Sequence, residues 1–144
     1  MPKQPATPRM AARVEFLDLP AALPVVEDEE MTLAFEIINR GNVETAYRLT
    51  AETNLRETLI DRTGSLPSGK RERFTCRVVG RYRTGLDRNP VADGTLTTVF
   101  VRLEHADLSG KMTQPNYGRQ TVPVEVKPRP TKIDTDALKA FDNL

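Results

Sequence analysis

Two stretches of alternating residues on either side of a four-residue corner constrain the fold of this chain most strongly. Apart from Thr45, segments 31–38 and 45–51 place apolar or aromatic residues at every second position, and successive side chains of a β-strand point to opposite faces. The corner between them is Asn39-Arg40-Gly41-Asn42, and Asn and Gly tolerate the left-handed backbone of a tight reversal. The pattern predicts a β-hairpin whose buried faces carry Leu33, Phe35, Ile37, Thr45, Tyr47, Leu49 and Ala51.

Other segments show the same period and predict further strands. They lie at 12–19, 57–60, 70–79, 95–104 and 119–126. Segment 57–60 is expected at a sheet edge, and segment 119–126 at or near one, because Pro123 has no amide hydrogen to donate to a ladder. Between the strands, Pro20 and Pro24 predict a short linker, residues 64–69 a turn and residues 105–116 a loop.

About seven short strands separated by turn signals, with no convincing helix between them, are typical of an antiparallel β-sandwich. The absence of helical segments excludes a parallel α/β architecture. A chain of 144 residues is long enough for one domain with its own core. We therefore predict an all-β sandwich at residues 12–126, preceded by an extended arm at 1–11 and followed by a tail at 127–144.

The N-terminal segment is rich in proline and basic residues. Pro2, Pro5 and Pro8 accompany Lys3 and Arg9, and the first ten residues contain no acid. This composition disfavours helix and sheet and favours an extended path. The sequence therefore predicts an extended N-terminal arm.

The C-terminal segment combines a proline-rich departure with an apolar end. Lys127-Pro128-Arg129-Pro130 predicts an extended linker, after which Asp134 or Thr135 can cap a short helix. Leu138, Phe141 and Leu144 fall three residues apart on one side of that helix. Because two turns of helix are not stable alone, the tail either folds back on its own sandwich or docks in a groove of a neighbour.

Composition and residue inventory exclude several classes of function. Lys plus Arg total 21 and Asp plus Glu total 20, so no overall field attracts nucleic acid or an anionic membrane. No segment is predicted to be a signal peptide or a membrane span, which leads us to expect a cytosolic protein.

Cys76, the one cysteine, lies on the inward face of a strand, and His105, the one histidine, is predicted to be an ordinary surface residue of a polar loop. The sequence offers no pairing of nucleophile and base, no phosphate loop and no metal-ligand spacing. We therefore predict a protein that is not an enzyme and has no cofactor, no metal and no small-molecule substrate.

The strand predicted at 70–79 begins the main local concentration of charge. Segment 70–83 contains six cations and one acid, Glu72. Period-two alternation places Arg71, Arg73 and Arg77 on the outward face, opposite Phe74, Cys76 and Val78. Two interpretations remain open: the arginines contact an acidic protein surface, or they form a solvated face that pairs internally.

Three short motifs carry a resemblance to a known class of domain. NRGNVETAYRL, LPSGKRERFTCRVV and TVPVEV resemble bacterial and archaeal immunoglobulin-like modules, in which one strand ends in an Asn-x-Gly-Asn corner and a Leu-Pro-x-Gly turn introduces the next long strand. The resemblance covers most of residues 31–126 and implies an immunoglobulin-like sandwich. The Cys, Trp and Cys framework of antibody-type domains is missing.

In size, fold class and tails, the whole chain resembles auxiliary (decoration or cement) capsid proteins of thermophilic tailed phages. That resemblance implies a structural protein of the virion, assembled in the host cytoplasm and held on the capsid surface as a trimer by contacts to the major capsid protein and to its own copies. The expected contact residues are Pro5, Pro8, Arg9, Arg71, Arg73, Arg77, Leu138, Phe141 and Leu144. The alternative is an immunoglobulin-like adhesion or carbohydrate-associated module, although the chain has no tryptophan for stacking on a sugar.

Overall fold

The computed structural model describes residues 10–82 and 94–128. In these ranges nine β-strands and one short 3-10 turn, Asn116–Gly118, form the fold. The strands are β1 (Val14–Leu17), β2 (Leu23–Val26), β3 (Glu30–Asn39), β4 (Thr45–Thr53), β5 (Thr58–Leu66), β6 (Arg71–Val79), β7 (Thr98–Ala106), β8 (Met112–Thr113) and β9 (Arg119–Lys127).

The strands are divided between two sheets. One sheet has the order β1-β3-β6, and the other has the order β2-β9-β7-β4-β5, with β8 added to the end of β7. Neighbours are antiparallel except that β2 runs parallel to β9. The described chain is an all-β immunoglobulin-like sandwich, as predicted. None of its described helical segments is long and apolar enough to cross a membrane.

The core lies between the two sheets and contains the residues of β3 and β4 that the alternation predicted to face inward. It also contains Leu23, Val25 and Leu66, which the sequence placed outside the predicted strands. Leu33, Phe35 and Ile37 of β3 and Leu49 of β4 are at most 2% exposed. Phe35 and Phe74 have their ring centroids 5.9 Å apart, and Tyr47 packs its edge against Phe74 at 6.1 Å. Burial of this apolar surface, at about 25 cal/mol per Å2, is the main stabilising contribution.

The predicted hairpin is wrong, although both of its strands exist. β3 pairs with β1 and β6, whereas β4 pairs with β5 and β7. The corner therefore carries the chain from one sheet to the other. Alternation shows that each strand buries one face, but two strands of one sheet and two strands of facing sheets have the same period.

A buried asparagine holds this crossover. Asn39 is fully buried, and its Nδ2 donates to the carbonyl oxygens of Val43 and Leu66, each at 2.8 Å. Its Oδ1 accepts from the Gly41 amide at 2.9 Å. A Cβ at Gly41 would lie 2.2 Å from the carbonyl oxygen of Ala11, so this position requires glycine.

Two local predictions differ from the structure, and a third agrees with it. The segment interpreted as a linker forms β2, because Leu23 and Val25 bury their side chains while Pro24 faces out at a sheet edge. β5 is an edge strand as predicted, but it continues to Leu66 through residues assigned to a turn, and the turn itself is confined to residues 67–70. β9 lies next to the edge strand β2, in agreement with the position predicted from Pro123.

Replacing Asn39 tests the crossover. Asn39→Ala removes one acceptor and two donated hydrogen bonds at a buried site, and we expect the free energy of unfolding to fall by about 3 kcal/mol. Urea denaturation monitored by circular dichroism measures the loss. The control is Asn42→Ala, at the exposed end of the same corner, where the Ala11 amide donates to Oδ1 at 2.7 Å and a loss of about 1 kcal/mol is expected. Equal losses for the two variants would contradict the role given to Asn39.

Candidate functional site

The three predicted arginines lie on β6, at the edge of the three-stranded sheet. Arg71, Arg73 and Arg77 are exposed, while Phe74 and Val78 of the same strand are buried. The arginines therefore project from the outer face of the sheet. We call this surface, defined by Arg71, Arg73 and Arg77, the arginine face.

Few of the surrounding acids pair with these arginines. Arg77 approaches Glu30 at 3.9 Å, and both side chains are largely exposed, so this contact contributes little. Arg73 lies opposite Glu36, and Arg71 opposite the buried Ile38. Neither Arg71 nor Arg73 forms an ion pair within residues 10–82 and 94–128.

A second acid of the same outer face is already engaged. Glu15 of β1 binds two cations, Arg13 at 2.5 Å and Arg40 at 2.7 Å. In the described structure the carboxylate of Glu15 already pairs with Arg13 and Arg40 and does not pair with the arginines of β6. The interpretation of an internally paired face accounts for Arg77 in part, and it does not account for Arg71 and Arg73.

The one acid in the arginine segment points to the other side of β6. Glu72 accepts a hydrogen bond from the hydroxyl of Tyr47 on β4, so this contact joins the two sheets. Tyr47 is 3% exposed. Burial raises the pKa of Tyr47 to about 12, and the hydrogen bond to Glu72 adds to the effect. Because Glu72 serves this contact, it does not neutralise the arginine face.

A cleft runs beside β6 at the open side of the sandwich. β5 pairs with β4 and β6 with β3, so in the described structure each has one unpaired edge. The cleft between them has a volume of about 390 Å3 and is lined by Leu59, Ile60, Asp61, Arg62, Arg73, Phe74 and Thr75. The guanidinium of Arg62 lies 5.8 Å from the centre of the Phe74 ring. Sequence reasoning missed Arg62 and the cleft, because no local pattern shows that the edges of β5 and β6 lie beside each other in the fold.

A larger hollow, of about 460 Å3, lies on the outer face of the six-stranded sheet. It contains Phe100, which is 45% exposed, and Arg48, which faces Asp61 at 3.4 Å. Glu52 also lines this hollow, so charges of both signs mix there. The arginine face has the clearer excess of one sign.

The remaining residues predicted to bind a partner lie outside the described ranges. These are Pro5, Pro8 and Arg9 of the arm and Leu138, Phe141 and Leu144 of the tail. They stay predictions from the sequence.

The prediction for His105 is wrong. Strand β7 continues to Ala106 and pairs His105 with Thr113 of β8, which buries the imidazole to 6% exposure. Its Nδ1 lies 3.1 Å from the carbonyl oxygen of Ala106 and its Nε2 lies 3.4 Å from the Tyr117 hydroxyl. A polar sequence around His105 concealed the short β7–β8 pairing that encloses it.

Cys76 lies on the inward side of β6 and is partly buried. Burial raises the pKa of its thiol to about 11, so little thiolate exists at neutral pH. No group of three or more His, Cys, Asp or Glu side chains in the described ranges is placed to hold a metal ion.

Comparison with solved structures identifies related folds. No protein-family model matches the chain, and no curated protein matches its sequence. The CARDB domain of the PF1109 protein from Pyrococcus furiosus, solved in complex with di-metal ions, superimposes with a TM-score of 0.53 at 13% identity, covering 86% of this chain and 95% of that one. PapD-like domain 7 of human CEP192 gives a TM-score of 0.50 at 13% identity, covering 92% and 96%. At this identity the likeness establishes the immunoglobulin-like fold and nothing further.

The contact between Tyr47 and Glu72 predicts a specific response to alkali. The pKa of Tyr47 is about 12 in the folded protein against an ordinary value of 10.0, so the folded protein keeps a proton that the unfolded chain loses. The stability that the protonated Tyr47 contributes to the fold is complete below about pH 10 and is lost as the pH rises towards 12. We expect Tyr47→Phe to be less stable than the native protein by about 1 kcal/mol at pH 8, and the difference to shrink above pH 10.

Urea unfolding at a series of pH values measures this difference. Tyr82→Phe serves as the control, because it removes a hydroxyl of the same kind outside the contact with Glu72. If the difference in the free energy of unfolding between the native protein and Tyr47→Phe stays constant from pH 8 to pH 12, the contact with Glu72 does not hold the proton of Tyr47.

Proposed function

We propose that this protein is a non-enzymatic binding module that contacts an acidic protein surface through its arginine face. The observation that carries the proposal is that Arg71 and Arg73 are exposed on a sheet edge without an ion pair in the described structure. A guanidinium presents its donors in a planar fork that fits a carboxylate in a bidentate manner. Arginine is also enriched in protein interfaces.

The surroundings of the one cysteine and the one histidine support a non-enzymatic role. Burial raises the pKa of Cys76 to about 11, which opposes nucleophilic use of the thiol. His105 is 6% exposed and makes its nearest polar contacts with Ala106 and Tyr117. A protein-binding role requires neither group.

We propose further that the acidic surface belongs to a large particle, and specifically that the protein is a decoration protein of a tailed-phage capsid. The support is the sequence: a proline-rich basic arm, a proline-spaced apolar tail and a sandwich between them. Arms that wrap neighbouring subunits offset their lost chain entropy with extended contact area. In this role the partners are the major capsid protein and further copies of the chain, in trimers, at the capsid surface.

Replacing the three arginines by glutamine tests whether the arginine face binds an acidic partner. Three exposed ion pairs contribute about 0.5 kcal/mol each, so Arg71→Gln, Arg73→Gln and Arg77→Gln together should weaken binding of a polyglutamate peptide about tenfold. Added salt should reduce the affinity of the native protein more than that of the variant. Titration followed by NMR chemical shifts measures both effects and shows which strands respond.

The matched control removes the same charge from the other sheet. Arg48→Gln, Arg102→Gln and Arg119→Gln alter exposed positions on the outer face of the six-stranded sheet. We expect this variant to bind the peptide nearly as well as the native protein. Equal weakening in the two triple variants would mean that net charge alone governs binding, and the proposed site would be abandoned.

Removal of residues 131–144 tests the role of the tail. We expect the truncated protein to unfold at the same urea concentration as the full chain, because the described core lies within residues 14–124. Binding to capsids, measured by co-sedimentation, should be lost, because the apolar residues of the tail are expected to grip the neighbour. Full-strength binding by the truncated protein would count against the capsid proposal.

A further inference from the structure

We infer that the open edge of β6 takes up an extended segment of the acidic partner as an added β-strand, in which acidic residues alternate with apolar ones. The inference rests on the proposed function for the charge of the partner. It adds the conformation of the bound segment and the order of its residues. Its basis is the direction of the backbone groups of β6.

The backbone of β6 alternates between a paired and a free direction. At one end of the ladder the Asn39 amide donates to the carbonyl oxygen of Lys70 at 3.0 Å, and at the other end the Gly80 amide donates to that of Glu29 at 2.9 Å. Hydrogen-bonded pairs alternate along an antiparallel ladder, and the register between these ends has no shift. The even-numbered residues from 70 to 80 therefore direct their backbone groups to β3.

The odd-numbered residues direct theirs away from β3. Arg71, Arg73, Thr75 and Arg77 thus present amide and carbonyl groups at the open edge, where β6 has no strand neighbour in the described structure. The same four residues have exposed side chains, as does Val79 at the end of the strand. A strand that hydrogen-bonds to this edge places a residue directly opposite each of them, on the outer face.

These positions specify the partner sequence. Residues opposite the arginines share the outer face with guanidinium groups, so acidic side chains suit them. The residues between them point inward, next to Phe74 and Cys76 and towards the cleft of about 390 Å3. Apolar side chains suit these inward positions, because they cover the exposed side of the core. The fitting segment is acidic and apolar at alternate residues.

The other three sheet edges are less suited to such an addition. β1 and β2 have four residues each, and β2 carries Pro24. β5 has the neighbouring charges Asp61 and Arg62, of opposite sign, and its ladder to β4 shifts register at Ala51. β6 combines nine residues with a regular ladder, which favour strand addition. Its outward charge is of one sign and selects an acidic partner.

Amide hydrogen exchange on the full-length, 15N-labelled protein tests the inference. The probe is the synthetic peptide Glu-Val-Thr-Val-Glu-Thr-Glu. In an antiparallel addition it places acids opposite the three arginines and valine at two of its three inward positions. Its control has the same composition in the order Glu-Glu-Glu-Thr-Thr-Val-Val, which keeps the charge and destroys the alternation. We expect the alternating peptide to slow exchange at Arg71, Arg73, Thr75 and Arg77 by about tenfold or more, and the control to leave these rates unchanged.

A backbone variant separates strand addition from charge. Thr75→Pro removes one donor at the open edge and leaves the β3 ladder and all arginines in place. We expect it to weaken binding of the alternating peptide and to leave the control peptide unaffected. An alternating peptide with N-methylated backbone at its edge-facing positions makes the same test on the native protein, should the variant not fold.

The outcomes distinguish this inference from the function on which it rests. Binding of both acidic peptides without new protection of the odd-numbered amides would overturn strand addition and leave the arginine face intact. Failure of both peptides to bind would overturn the proposed function as well. Protection of the same amides in the free protein would show that the chain or another copy of it occupies the edge, and would overturn the inference of a separate partner.

Discussion

The crossover between β3 and β4 is the constraint on which the sandwich depends. A chain that leaves one sheet and enters the other interrupts both ladders, and the freed backbone groups require new partners when they are buried. Asn39 provides one acceptor and two donated hydrogen bonds from a single buried side chain. By reaching Leu66, the last residue of β5, it also fixes where the next crossing of the chain begins. The two sheets are thus held at one end by a buried polar contact beside the apolar core.

The same path of the chain leaves one side of the sandwich open. β5 ends the larger sheet and β6 ends the smaller one, and the turn between them joins the two edges without an intervening strand. Tyr47 and Glu72 link the sheets across this side. Because that bond occupies Glu72, this acid does not neutralise the outward arginines of β6. One structural contact therefore supports both the stability of the open side and the charge of the proposed binding surface.

Much of the candidate site could be read from the sequence, although its surroundings could not. Period-two alternation correctly placed Arg71, Arg73 and Arg77 outward and Phe74 and Val78 inward. The charge count of the segment could not show that Glu72 would face Tyr47, a residue on a distant strand. Nor could it show that β6 would be an edge, since edge and central strands have similar local patterns when one face is exposed. The cleft with Arg62 depends on both facts.

For the whole chain, the distance along the sequence between interacting residues decides which features could be predicted from the sequence and which could not. Local alternation and turn chemistry determined the all-β class, the inward residues of the long strands and the edge position of β5, because these follow from the two-residue period of a strand. Only tertiary structure decided that β3 and β4 belong to different sheets, that residues 23–26 form a strand beside β9, and that His105 is buried beside β8. The first two depend on partner strands far away in sequence, and the third depends on the short pairing of β7 with β8. A local pattern carries no information about which partner a strand will meet.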